Sequence, residues 1–205
     1  MLVLPDGDPV YRICSIDPGS NTLGLAVLEV DLLVGGVTLV EARTFNGERM
    51  SQQFPHLIEV HGEKVARLYA HEQNLLQVFS HYQPHAIICE SPFLGRFPQA
   101  YAALVECLTA IRRACYRFNP HIPLETIDPI TVKQSVGVVI RKAAKGEKRK
   151  KSGLTKEDIK HAVLQLPDLI NASDRRLIEL DEHSIDATAV GYYKYRQLMD
   201  AFSSE

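Results

Sequence analysis

Residues 13–30 read ICSIDPGSNTLGLAVLEV: two apolar runs with one carboxylate, Asp17, between them at the head of Pro18-Gly19-Ser20-Asn21. Apolar runs bounded by turn residues of this kind predict strands, here Tyr11 to Ile16 and Leu23 to Val30. Asp17 then stands at the tip of a core strand, where an acidic side chain is costly unless it has a partner or a task.

Outward from this stretch the chain alternates strand and helix signals. Gly35-Gly36 breaks the second run, and Val37 to Arg43 gives a third strand, so short turns join an antiparallel meander. Val65, Leu68, Tyr69, Leu75, Leu76 and Phe79 recur at helical spacing between Val60 and Tyr82. Gln83-Pro84-His85 stops that helix, and AIICE follows as a continuously apolar strand of the kind buried on both faces. A helix over about 99–118 carries a main apolar stripe and a second one of Ala103, Cys107, Ala110 and Ala114. That surplus face fits either another helix of the same chain or a closely packed dimer contact. Pro123 to Ile127 is a fifth strand, and Asp128-Pro129 opens a short helix to Val136. Thr155-x-x-Asp158 resembles a capping box before a helix with Ile159, Ala162, Val163 and Leu166 on its apolar face. A last helix spans about 181–198. The order β-β-β-α-β-α-β-α-α-α predicts an α/β fold whose five-stranded mixed sheet, three antiparallel strands and then parallel ones, carries helices on its faces. A single domain over residues 1–205 is the economical reading.

Composition limits the classes. The chain has 205 residues, 45% hydrophobic and 23% charged, close to globular averages. No run of eighteen apolar residues exists, so no membrane span is expected, and Met1 to Val10 is too short and acidic for a targeting peptide. The four cysteines, at 14, 89, 107 and 115, have no C-x-x-C spacing. They read as buried thiols of a reducing compartment, the cytoplasm, rather than as disulfides or a zinc site. The net charge is −2, but RKAAKGEKRKK (141–151) alone carries +6, leaving −8 on the remainder. Such a segment is either a solvated surface run or a polyanion contact, with Lys148, Arg149, Lys150 and Lys151 its densest part.

The candidate chemistry lies in four residues. Asp17 ends the first strand and Glu90 the fourth; if those strands are parallel neighbours, both carboxylates emerge at the sheet edge where open α/β folds bind ligands. His183 and Asp186, three apart on the last helix, share a face. Each alone has a plain structural role: an Asx-turn, a solvated strand end, polar residues of a helix's first turn. Together they make three carboxylates and an imidazole able to surround two divalent cations.

IDPGSNTLGLAV is similar to the first-strand signature of RuvC-type Holliday junction resolvases, within the ribonuclease H-like fold. QPHAIICESPFLGR, DPITVKQSVGV and HSIDATAV resemble that family's later segments in order, so the likeness spans roughly 12–193. It implies a homodimeric, metal-dependent endonuclease that resolves four-way junctions or other branched DNA, leaving 5′-phosphate ends. Asp17, Glu90, His183 and Asp186 would be the catalytic, metal-binding positions for two Mg²⁺ ions, with Mn²⁺ able to substitute. His183 would serve as fourth ligand or proton handler, and the adjacent Glu182 could exchange roles with it. Phe93 matches a base-wedging aromatic, otherwise an ordinary loop hydrophobe, and Lys133 and Lys156 match basic residues near the scissile phosphate. The basic insertion, 141–154, departs from the family pattern and loosens the expectation of strict four-way specificity. Two rivals remain: a same-fold nuclease for RNA, forks or flaps, and a junction-binding protein without catalysis.

Overall fold

The computed structural model describes residues 9–93, 97–138 and 156–203. At its centre is a six-stranded mixed sheet in the order β5-β4-β1-β2-β3-β6. Strands β1 (Val10–Asp17), β2 (Thr22–Asp31) and β3 (Val37–Asn46) form an antiparallel meander. β4 (Ala86–Glu90) runs parallel to β1, and β5 (Leu124–Ile127) runs parallel to β4. The sequence predicts five strands, and β6 (Leu169–Asn171) corrects that number. Its three residues are too few to carry an alternation; they pair in parallel with Val37–Leu39, so the open edge of β3 specifies them.

Seven helices cover the sheet among the described residues: α1 (Gly47–Ser51), α2 (Pro55–His61), α3 (Glu63–Tyr82), α4 (Pro98–Phe118), α5 (Pro129–Ser135), α6 (Lys156–Leu164) and α7 (Glu182–Phe202). The one helix predicted over 60–82 is interrupted at Gly62, whose φ of +83° ends α2 and leads into α3. Thr155 lies outside the described residues. The apolar face expected behind it is present: Ile159 and Val163 are buried, with Ala162 and Leu166 packed beside them.

Strand periodicity sorts the core into two layers. Ile13, Ala26, Leu28 and Val30 turn towards α5, α6 and α7. Cys14, Ile16, Leu25 and Val27 turn towards α3 and α4. Both faces being buried, the strands read as nearly unbroken apolar runs, and truncating a side chain such as Leu25 would cost about 2–5 kcal/mol. The small-residue stripe of α4 has the first of its two readings. Cys107, Ala110 and Ala114 are buried within the chain, where α4 packs on α3, and are not a free dimer face. All four cysteines are buried and unpaired. No helix among the described residues is long and apolar enough to cross a membrane.

Helix α7 packs closely on the sheet because the residues between them are small. Ser15 Oγ of β1 donates to the Ala187 carbonyl at 2.7 Å. A Cβ on Gly191 would stand 2.6 Å from Ser15 Oγ, and one on Gly24 only 2.1 Å from the carbonyl oxygen of His183. Any side chain at Gly24 would therefore push away the helix turn that carries His183.

Candidate active site

The parallel register pairs Ile16 of β1 with Cys89 of β4, so Asp17 and Glu90 follow one residue later on adjacent strands at the same sheet edge. The first turns of α7 bring His183 and Asp186 over that edge. The helix starts there because Asp181 caps it, accepting from the Ser184 N–H at 3.0 Å and from Thr44 Oγ1 of β3 at 2.5 Å.

His183 Nδ1 lies 2.7 Å from Asp17 Oδ2, and its Nε2 lies 2.8 Å from Thr22 Oγ1. A carboxylate can only accept, so Nδ1 carries the proton; in the neutral ring Nε2 then accepts from the Thr22 hydroxyl. The hydrogen bond with Asp17 holds the His183 pKa above its ordinary value. Glu182 stands to one side, its Oε1 3.8 Å from Nε2, so His183 rather than Glu182 meets Asp17.

The remaining carboxylates interact electrostatically. Burial, then Asp17 and Asp186, pushes Glu90 up to about 8. Burial, then Asp17, pushes Asp186 up to about 6. The positive charge of Lys133 on α5 opposes both shifts.

Asp17, Glu90, His183, Asp186 and Lys133 are thus brought together. Phe93 sits three residues beyond Glu90 with 64% of its surface exposed. Lys156 begins α6, with its side chain outside the description, and Lys148, Arg149, Lys150 and Lys151 lie outside the described residues. Sequence reading misses Thr22, the second partner of His183, and Gly24; a lone Thr and a lone Gly in a turn-flanked strand give no signal.

Among the described residues, no three His, Cys, Asp or Glu side chains stand pre-assembled around one ion position. Their chemistry nonetheless fits divalent cations. Three carboxylates offer the hard oxygens that Mg²⁺ and Mn²⁺ prefer, and the imidazole adds a nitrogen that suits Mn²⁺ better than Mg²⁺. Glu90 and Asp186, pushed up to about 8 and about 6 by burial and then by Asp17, are the groups a cation would relieve.

A meander, two parallel strands beyond β1 and helices on both faces define the RuvC-type ribonuclease H-like fold. Solved structures share it. The Thermus thermophilus RuvC in complex with Holliday junction substrate superposes with a TM-score of 0.62 at 22% identity, covering 92% of this chain and 96% of that one. The yeast mitochondrial Holliday junction resolvase Ydc2 gives 0.59 at 11% identity, covering 95% of this chain and 82% of that one. The Fowlpox virus resolvase in complex with Holliday junction DNA gives 0.51 at 13% identity, covering 92% and 99%. No family model matches the chain, and neither does any curated protein.

Proposed function

We propose that this protein is a metal-dependent, structure-specific endonuclease that resolves four-way DNA junctions by paired phosphodiester hydrolysis, leaving 5′-phosphate ends. The observation that carries the reading is the gathering of Asp17, Glu90 and Asp186 at one sheet edge, in a fold shared with resolvases solved on Holliday junctions.

Asp17, Glu90 and Asp186 would hold two Mg²⁺ ions per site, with Mn²⁺ as a substitute. Bound there, divalent cations supply an activated water and charge neutralisation at the scissile phosphate and the leaving 3′ oxygen. The chain's own residues do the rest. His183 would be a fourth ligand or a proton handler: its Nδ1–H donates to the Asp17 carboxylate, and a second proton, held at Nε2, would donate a hydrogen bond to the Thr22 hydroxyl oxygen. Lys133, whose charge opposes the raised pKa values of Glu90 and Asp186, would meet a phosphate oxygen. Phe93, exposed beyond Glu90, would stack on a base near the junction centre. Lys156 and the cations 148–151 would grip the DNA backbone.

Cutting two symmetry-related strands calls for two sites, and a two-fold homodimer provides them. With the small-residue stripe of α4 covered by its own chain, an exposed apolar row at the start of that helix, Phe97, Tyr101 and Val105 (72%, 36% and 38% exposed), would be one contact for a partner. Replacement of any one carboxylate (Asp17→Asn, Glu90→Gln or Asp186→Asn) tests the reading. Each variant is expected to bind a junction and not cut it; near-wild-type cutting in Mg²⁺ by any of them removes the assignment.

A further inference from the structure

The turn that follows Asp17 is held from three sides. Its successive carbonyls each meet a donor from a different helix. Cys107 Sγ of α4 reaches Gly19 O at 3.5 Å, His71 Nε2 of α3 reaches Ser20 O at 3.2 Å, and the Gly47 N–H at the head of α1 reaches Asn21 O at 2.7 Å. The second of these ties has the most rigid support. Glu72, next to His71 and as deeply buried, receives Arg113 of α4 at 3.3 Å and Arg117 at 2.7 Å. This part of α3 is therefore clamped to α4 while it holds the turn.

His71 is an odd choice of core filler. It is fully buried, and burial lowers its pKa to about 4, so the ring is neutral. A carbonyl oxygen only accepts, so Nε2 carries the proton and Nδ1 is left as a bare acceptor. Nδ1 has no hydrogen-bond partner among the described residues. A phenylalanine would fill similar space without an unsatisfied buried nitrogen. What the imidazole supplies, and a phenyl ring cannot, is the single N–H on Ser20. Three residues before that carbonyl stands Asp17, followed by Pro18, which limits how the backbone between them can adjust.

We infer that His71 is a positioning residue: its Nε2–H fixes the Ser20 carbonyl and, through the turn, the direction in which Asp17 presents its carboxylate to a divalent cation. This rests on the metal-binding role proposed for Asp17. Ligand geometry is sensitive to such support, and loss of an outer partner commonly costs 10–100-fold in metal affinity or activity.

The test compares His71→Phe with His71→Gln, whose amide nitrogen can take the place of Nε2. Three quantities are read: hydrogen exchange of the 19–22 amides, Mn²⁺ affinity by calorimetry, and kcat against KM on a four-way junction. The Phe variant is expected to expose the turn to exchange and to lose about tenfold in Mn²⁺ affinity and kcat at unchanged KM, with Gln restoring all three. Wild-type exchange and Mn²⁺ affinity in the Phe variant, or a Gln variant as impaired as Phe, overturns the inference. If the Phe variant does not fold, the Gln variant decides: it must keep the turn protected. Asp17→Asn run alongside separates the two ideas. Unchanged Mn²⁺ affinity there sinks the metal reading, while the exchange data still decide whether His71 holds the turn.

Discussion

Asp17 Oδ2 and His183 Nδ1 meet at 2.7 Å across 166 residues of chain, joining the end of β1 to the first turn of α7. The contact makes the carboxylate expected to bind a cation also the partner of a titrating imidazole. The His183 pKa is raised by that bond, so the pair's stabilisation is present in full below about 6.5, the ordinary histidine value, and is lost as pH rises through the raised one.

Cation loading should therefore compete with protonation of His183. Cleavage is expected to decline as the solution is acidified through the raised histidine value, and Mn²⁺, the better partner for imidazole, should support it at least as well as Mg²⁺. His183→Asp is expected to shift the preference towards Mg²⁺ and to alter the acidic limb of the pH–rate profile. A variant with both unchanged would remove His183 from the site.

Stability should also depend on pH in a predictable direction. Glu90 and Asp186 have folded values of about 8 and 6 against 4.5 and 3.8 for the free groups. Between those limits the native state holds more protons than the unfolded chain, so raising the pH destabilises it. The His183 shift has the same sign. The metal-free protein should be less stable near pH 8 than near pH 5, by on the order of a few kcal/mol, and Mg²⁺ or Mn²⁺ should restore the loss. Glu90→Gln should flatten the dependence; melting curves across pH, with and without the cation, check it.

The legible part of this architecture is the part carried by local pattern. Strands β1 to β5 are bracketed by turn residues, and the carboxylates at the ends of β1 and β4 are visible as interruptions of apolar runs. β6 has only three residues and takes its identity from the edge of β3. Helix α2 buries no residue, so it has no apolar stripe for periodicity to find. The spare face of α4 reads the same whether a helix of the same chain or a second subunit covers it. Least legible are the ties that orient the site. The Thr22–His183 contact joins residues 161 apart and the His71–Ser20 contact residues 51 apart, and both depend on how layers stack rather than on any spacing.

The cations of RKAAKGEKRKK give a separate prediction from charge alone. Each phosphate neutralised on duplex DNA contributes about −0.9 to the slope of log affinity against log salt. Neutralising Lys148, Arg149, Lys150 and Lys151 together should flatten that slope by roughly three if three or four of them touch the backbone. Binding should weaken alike on all sequences. An unchanged slope in titrations of the quadruple variant would make the segment a solvated surface run.

Metal-dependent cutting of branched DNA is the activity proposed for these carboxylates. It is measured most directly by incubating the protein with a synthetic four-way junction, a fork, linear duplex and an RNA–DNA hybrid, each with and without Mg²⁺. The predicted result is Mg²⁺-dependent, paired incision of the junction with 5′-phosphate ends and little cutting of linear duplex. Equal cutting without divalent cation, or cutting confined to the hybrid, would contradict it.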